Sequence, residues 1–273
     1  MTQTAQTPAG QAAGDCTGHV ALVGAGPGSA DLLTLRAAKL LREADVVFHD
    51  ALVPDAVLEM AGPQARIVPV GKRKGCHSKS QAEIDRLLVE AGRAGLKVVR
   101  LKAGDPMVFG RAGEEIAALR AAGIAHEIVP GITAATAAAA DLALPLTLRG
   151  TASTLVFTTG HDMRGAVLPD WARLAARGMT VAVYMGRTVA ADVASRLAEA
   201  GLAVETPVAA IENAGRPEAR ALVGTLADLP HLAARNDLAG PTLVVIGEAV
   251  AAADLARTEP LGAAFQPADE VFA

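Results

Sequence analysis

Short apolar, β-branched runs alternate along this chain with longer stretches of helical period. HVALVG (19–24) predicts a buried first strand, and LLTLRAAKLLREA (32–44) behind it carries apolar residues at helical spacing. DVVFHD (45–50) and RIVPVG (66–71) predict the second and third strands. Ser80, with Glu83 three residues on, has the spacing of a capping box and opens the next helix. KVVRLKAG (97–104) predicts a fourth strand, EEIAALRAAG the helix after it, and HEIVPG (126–131) a fifth strand. The Ala-rich run GITAATAAAADLALPL is broken by Asp141 and Pro145 and is too short to span a bilayer, so it predicts a buried helix. The alternation then restarts. TLVFTTG (154–160), TVAVYMG (180–186), TPVAAIEN (206–213), ARALVGT (219–225) and TLVVIG (242–247) predict strands, and WARLAARG and VAADVASRLAEAG predict helices between them.

Strand–helix alternation of this kind predicts an α/β fold, with mostly parallel strands covered on both faces. The proline, glycine and small polar residues of LPLTLRGTAS place a boundary within 145–153. The expected organisation is a flexible lead over 1–18, an α/β domain over 19–148, a second over 149–250 and a fraying tail over 251–273. A length of 273 residues suits two such domains. No internal repeat is legible.

Composition narrows the function. With 51% apolar and 20% charged residues, the chain is not of the disordered class. Aromatics are only 3%, the net charge is −4 and the pI is near 5.9, so neither base-stacking platforms nor a basic face for nucleic acid is expected. Cys16 and Cys76 make no disulfide framework, and the opening residues lack the basic and apolar regions of a signal peptide. A cytoplasmic protein without a membrane segment is the expectation. His77 stands beside Cys76, but no second such pair exists, so no metal is expected.

GAGPGSAD (24–31) follows the first strand and invites a dinucleotide reading, but Ser29 stands where the third glycine of G-x-G-x-x-G belongs. Pro27 also has no N–H to offer a pyrophosphate. LKAGDPMVFGRAGEE (101–115) is the denser puzzle, a loop combining glycines, proline, Asp105, Arg111, Glu114 and Glu115.

Taken in order, VGAGPGSADLLTLRAAKLL, VVFHDALV, VGKRKGCHSKSQAEID, VVRLKAGDPMVFGRAGEE, VPGITAATAAAA and TTGHD resemble the motifs of the tetrapyrrole C-methyltransferases, over about residues 19–250. The resemblance implies two α/β domains with the active site in the cleft between them, usually in a homodimer. It implies methyl transfer from S-adenosylmethionine to C2 and C7 of uroporphyrinogen III, giving precorrin-2 by way of precorrin-1 for sirohaem, cobalamin or haem d1 synthesis. The small-molecule tetrapyrrole would be the partner, with no nucleic acid, membrane or metal. Matched position by position, the donor contacts would be Pro27, Ala103, Gly104, Asp105, Val108, Thr133, Ala134, Met185 and Ala214. Asp50 matches the proton acceptor, Lys72 the proton donor, and Arg111 with Glu114 the loop facing the substrate. Ala51, Ala103, Ala112, Leu148 and Ala214 depart from the family pattern.

These residue types suit that chemistry. A sulfonium methyl is already electrophilic, so catalysis is largely alignment, and glycine-rich strand ends let the backbone approach the donor. The substrate's carboxylates call for local cations: Arg111 for a bidentate contact, and Lys72, Arg73, Lys74 and Lys79 as a second cluster. Plainer readings compete. Glu114 and Glu115 fit a helix start, where acids favour the dipole, and Met185 fits a core filler. The rival functions are another precorrin methyltransferase, such as one acting on precorrin-4, a nicotinamide-dependent oxidoreductase, and a catalytically silent binding protein on the same fold.

Overall fold

The computed structural model describes residues 18–71, 79–160 and 177–262. Two sheets organise them. The first contains β1 (His19–Gly24), β2 (Val46–His49), β3 (Arg66–Pro69), β4 (Lys97–Lys102) and β5 (Ala125–Val129) in the order β3-β2-β4-β1-β5. Every pairing in it is parallel. Parallel strands need helical crossovers, and where these cover both faces, as at β1 and β2, the strand reads as a nearly continuous apolar run. Val20 and Leu22 of β1 pack with Ile84 and Leu88 of α3 (Gln81–Arg93) and with Ile116 and Leu119 of α4 (Ala112–Ala121). Ala21 and Val23, the alternate positions, pack with Ala37 and Leu41 of α1 (Leu35–Glu43) and Val57 of the short α2 (Asp55–Leu58).

Helix starts follow local chemistry. Thr34 caps α1 by accepting the Ala37 N–H at 3.1 Å. Ser80 and Glu83 form the expected capping box on α3, in which Glu83 Oε2 accepts the Ser80 N–H at 2.6 Å. The Glu83 carboxyl is held below its usual range by the Ser80 hydrogen bonds.

The second sheet is mixed. It comprises β6 (Thr154–Thr159), β7 (Met179–Tyr184), β8 (Pro207–Glu212), β9 (Arg220–Thr225), β10 (Thr242–Ile246) and β11 (Glu259–Pro260), ordered β11-β9-β8-β10-β7-β6. β6–β7 and β9–β11 run parallel, and the pairs between them antiparallel. One face packs Val193 and Leu197 of α6 (Ala190–Glu199) and Leu232 of α7 (His231–Ala234). The other receives Ala135, Ala137 and Ala138 of α5 (Ala134–Asp141). That helix precedes the expected 145–153 boundary in sequence, yet its buried alanines lie on the second sheet; small side chains permit this close seat. Residues 253–262, expected as part of a fraying tail, instead supply β11 and the buried Leu261. Arg220 and Arg235 converge there on Asp237 and Glu259 and tie the segment down. Among the described residues, no helix is long and apolar enough to cross a membrane.

Candidate active site

The carboxyl ends of β1, β4 and β5 fold into one another. The Ala25 N–H donates to the Lys102 carbonyl at 2.7 Å, and Gly26 and Gly104 exchange backbone hydrogen bonds of 3.2 and 2.7 Å. An added Cβ on Gly131 would stand 2.2 Å from the Gly104 oxygen and 2.8 Å from Gly24 Cα, so three loops meet where only glycine fits. Asp105 secures the junction: Oδ1 accepts the Met107 N–H at 2.8 Å and Oδ2 the Gly131 N–H at 3.0 Å. Gly131→Ala is expected to cost about 1–3 kcal/mol through overpacking of backbone on backbone. Urea unfolding measures this loss, and an unchanged midpoint would contradict the packing.

Above this junction lies a cleft of ≈ 230 Å³ between the two sheets. All nine residues matched to donor contacts line it. Pro27, Ala103, Gly104, Asp105 and Val108 come from the first sheet's loops, Thr133 and Ala134 from the start of α5, and Met185 and Ala214 from the second sheet. Ala103 is not among the residues with positive φ; the left-handed turn falls on Gly104 at φ 68°, so the alanine is accommodated without strain. An added Cβ at Gly104 would meet nothing nearer than Thr133 Cα at 3.8 Å, leaving that backbone open to a bound molecule.

Several lining residues were not expected. Tyr184, the chain's single tyrosine, shares a 2.6 Å hydrogen bond with the Thr133 hydroxyl, and its oxygen accepts the Ala135 N–H at 3.2 Å. Burial pushes its phenol up in pKa, against the opposing pull of those two bonds. Phe109 packs on the Tyr184 ring with centroids 4.9 Å apart. Arg216 reaches across the cleft from beyond β8, donating to the Leu52 carbonyl at 2.9 Å and the Pro27 carbonyl at 3.3 Å, and fills the space that a Cβ on Gly28 would take. A lone tyrosine next to Met185 was the available sequence signal; nothing local marked Arg216. Phe109, Arg111, Met185 and Asn213 all adopt positive φ, an arrangement that costs energy and clusters at functional sites.

Asp50, Arg111 and Glu114 are not among the cleft's lining residues. Arg111 and Glu114 pair at the start of α4 through bonds of 2.8 and 2.7 Å, both largely exposed. The hydrogen bond from Arg111 holds the Glu114 carboxyl low, and its partner raises the guanidinium. Lys72, with Arg73, Lys74, Cys76 and His77, lies outside the described residues.

Glu115 stands in the first turn of α4, as its place in the sequence predicts, but it also does something that position does not show. Its side chain is 0% exposed. Arg100 and Lys102 fall on the face of β4 turned toward α4, so their charges require a buried counter-ion. Glu115 Oε1 accepts from Arg100 Nε at 2.9 Å, and both its oxygens accept from Lys102 Nζ at 3.0 Å. Arg100 continues through Nη2 to Asp50 Oδ1 at 2.5 Å. Burial alone would lower the Arg100 pKa, but Asp50 and Glu115 outweigh it and raise it. Lys102 is lowered, by burial first and then by Arg100.

Comparison with known proteins follows the same lines. Residues 19–230 match the family model of the Tetrapyrrole (Corrin/Porphyrin) Methylases. A siroheme synthase of Chromobacterium violaceum is 48% identical over 88% of this chain but only 51% of its own length; the chain spans about half of the curated siroheme synthases it matches. A uroporphyrinogen-III C-methyltransferase of Paracoccus denitrificans is 47% identical over 87% of this chain and 83% of its own. Among solved structures, the uroporphyrin-III C-methyl transferase of Thermus thermophilus complexed with S-adenyl homocysteine superposes with a TM-score of 0.74. It is 41% identical and covers 85% of this chain and 99% of the other. With motif order, paired sheets and the glycine junction all accounted for, the chain belongs to the tetrapyrrole methylases.

Proposed function

We propose that this protein methylates uroporphyrinogen III at C2 and C7 with S-adenosylmethionine, giving precorrin-2 by way of precorrin-1 for sirohaem, cobalamin or haem d1 synthesis. The observation that carries the reading is the convergence of nine residues from five separate stretches of chain, from Pro27 to Ala214, on one cleft. The solved relative complexed with S-adenyl homocysteine supports the same use of the fold.

When bound, the donor supplies an electrophilic methyl carbon on a sulfonium. The chain's own task is to seat it and exclude water. Gly104, Gly131 and Gly24 bring backbone close, and Pro27 stiffens the loop behind β1. Asp105 and Arg216 are the charged residues among those lining the cleft, one of each sign, which suits the ammonium and carboxylate of the donor's amino-acid part. Thr133, fixed by Tyr184, presents a polar edge from α5. On the substrate side, Arg111, forked onto Glu114, meets a ring carboxylate. Asp50, at the end of β2, takes the proton that the ring loses after methylation. Lys72 keeps the proton-donor role that the resemblance gives it. The reading extends to a cytoplasmic homodimer that uses no metal.

Anaerobic incubation with uroporphyrinogen III and the donor, followed by mass spectrometry, tests the function. Addition of two methyl groups, with S-adenosylhomocysteine released, is the expected result. Methylation of precorrin-4 alone would reassign the substrate. Saturable NADH binding without S-adenosylhomocysteine binding would overturn the reading altogether.

A further inference from the structure

The buried set Arg100, Lys102, Glu115 and Asp50 has no assigned purpose beyond Asp50 itself. Stability does not explain it. Removing charges from water costs several kcal/mol per ion, and well-packed apolar residues in place of a buried ion network are often neutral or better. The set also has a direction. Arg100, Lys102 and Glu115 are each 3% exposed or less, while Asp50, at 30%, is the member that reaches solvent. A strut meant only to join β4 to α4 would end at Glu115.

We infer that Arg100 is a positioning residue for Asp50. Its guanidinium is locked from behind: Nε is held by Glu115, which Lys102 fixes in turn, and Nη1 donates to the Leu101 carbonyl at 3.2 Å. With those contacts made, Nη2 has one orientation, and it takes Asp50 Oδ1. The Asp50 backbone is fixed as well, through its N–H to the Leu101 carbonyl at 3.2 Å. Among the described residues the Asp50 carboxylate is held through Oδ1, and its side chain stays 30% exposed, so the carboxylate remains within reach of a proton to be taken. Arg100 and Lys102 face Glu115 and Asp50, so the set holds two cations against two carboxylates in formal charge.

This inference rests on the proposed role of Asp50 as the proton acceptor. The test is a double-mutant cycle of Arg100→Gln and Asp50→Asn, reading kcat for methylated tetrapyrrole and S-adenosylhomocysteine affinity by calorimetry. Arg100→Gln leaves the Lys102–Glu115 pair neutral and Asp50 within reach of water, so the variant is expected to fold. Asp50→Asn is expected to lose about 10²–10⁴-fold in kcat and Arg100→Gln about 100-fold, each with donor affinity changed less than about twofold. The double variant is expected to be no slower than Asp50→Asn alone, because contributions made through a shared residue do not add. Multiplying losses, or a fall in donor affinity that tracks kcat, would overturn the proposal. Should Arg100→Gln not fold, Arg100→Lys carries the same cycle, since a lysine keeps the charge and loses the fork. A crystal structure of the folded variant gives an answer independent of turnover. An Asp50 carboxylate displaced from its place supports the proposal; one that stays put overturns it, even if the wild-type protein proves inactive on uroporphyrinogen III.

Discussion

Glu115→Ala is expected to cost about 3–5 kcal/mol of folding stability, the usual penalty for breaking a buried ion pair from one side. The carboxylate has no access to water and serves two cations at once, Arg100 Nε and Lys102 Nζ. Alanine leaves both charges in an apolar layer formed by Ile116, Leu119, Leu22 and Val98. Lys102 can relieve itself by losing its proton, the direction in which burial already pushes it. Arg100 has no such escape, since a guanidinium stays charged, and must either lean wholly on Asp50 or draw water into the core. Glu114→Ala, one residue away, removes an exposed partner of Arg111 and is expected to cost less than about 1 kcal/mol. Urea unfolding of the two variants side by side measures the contrast. Equal losses would mean that Glu115 is not buried as described.

Asp50→Asn is expected to slow product formation by about 10²–10⁴-fold, the range for removing a general base, while leaving S-adenosylhomocysteine affinity nearly unchanged. An asparagine can still offer Arg100 Nη2 a carbonyl oxygen, so the geometry at the end of β2 is largely preserved. What it cannot do is accept the proton. Donor binding is spared because Asp50 is not among the residues lining the cleft. Rapid-quench measurement of product against separately determined donor affinity distinguishes the two effects. Weakened donor binding with normal turnover at saturation would remove Asp50 from the role.

Most strands of both sheets were legible because a strand buried on two faces leaves an uninterrupted apolar signature, as in HVALVG and TLVVIG. Capping chemistry gave the start of α3 from Ser80 and Glu83 alone. The two-residue strand β11 was not legible, since its pairing with Leu222 and Val223 is a tertiary event with no local period. Nor did the alanines of α5 disclose which sheet they would meet. Glu115 was legible only in part, for a similar reason: its place on a helix's first turn could be read locally, and only the register that sets Arg100 and Lys102 against α4 shows what it neutralises. Within the cleft, residues carried in recognisable motifs were found. Arg216, Tyr184 and Phe109 required knowledge of what lay opposite them.

The place of β1 bears on how the molecule comes to be made. It is inserted between β4 and β5, and pairing with β4 joins His19 to Lys97, across nearly 80 residues of chain. During synthesis this sticky hexapeptide emerges long before either neighbour exists, and such distant closures are slow and prone to aggregation. Assembly of the first sheet therefore waits on its own middle, and the loop carrying Pro27 gains its final shape only once β4 and β5 have arrived.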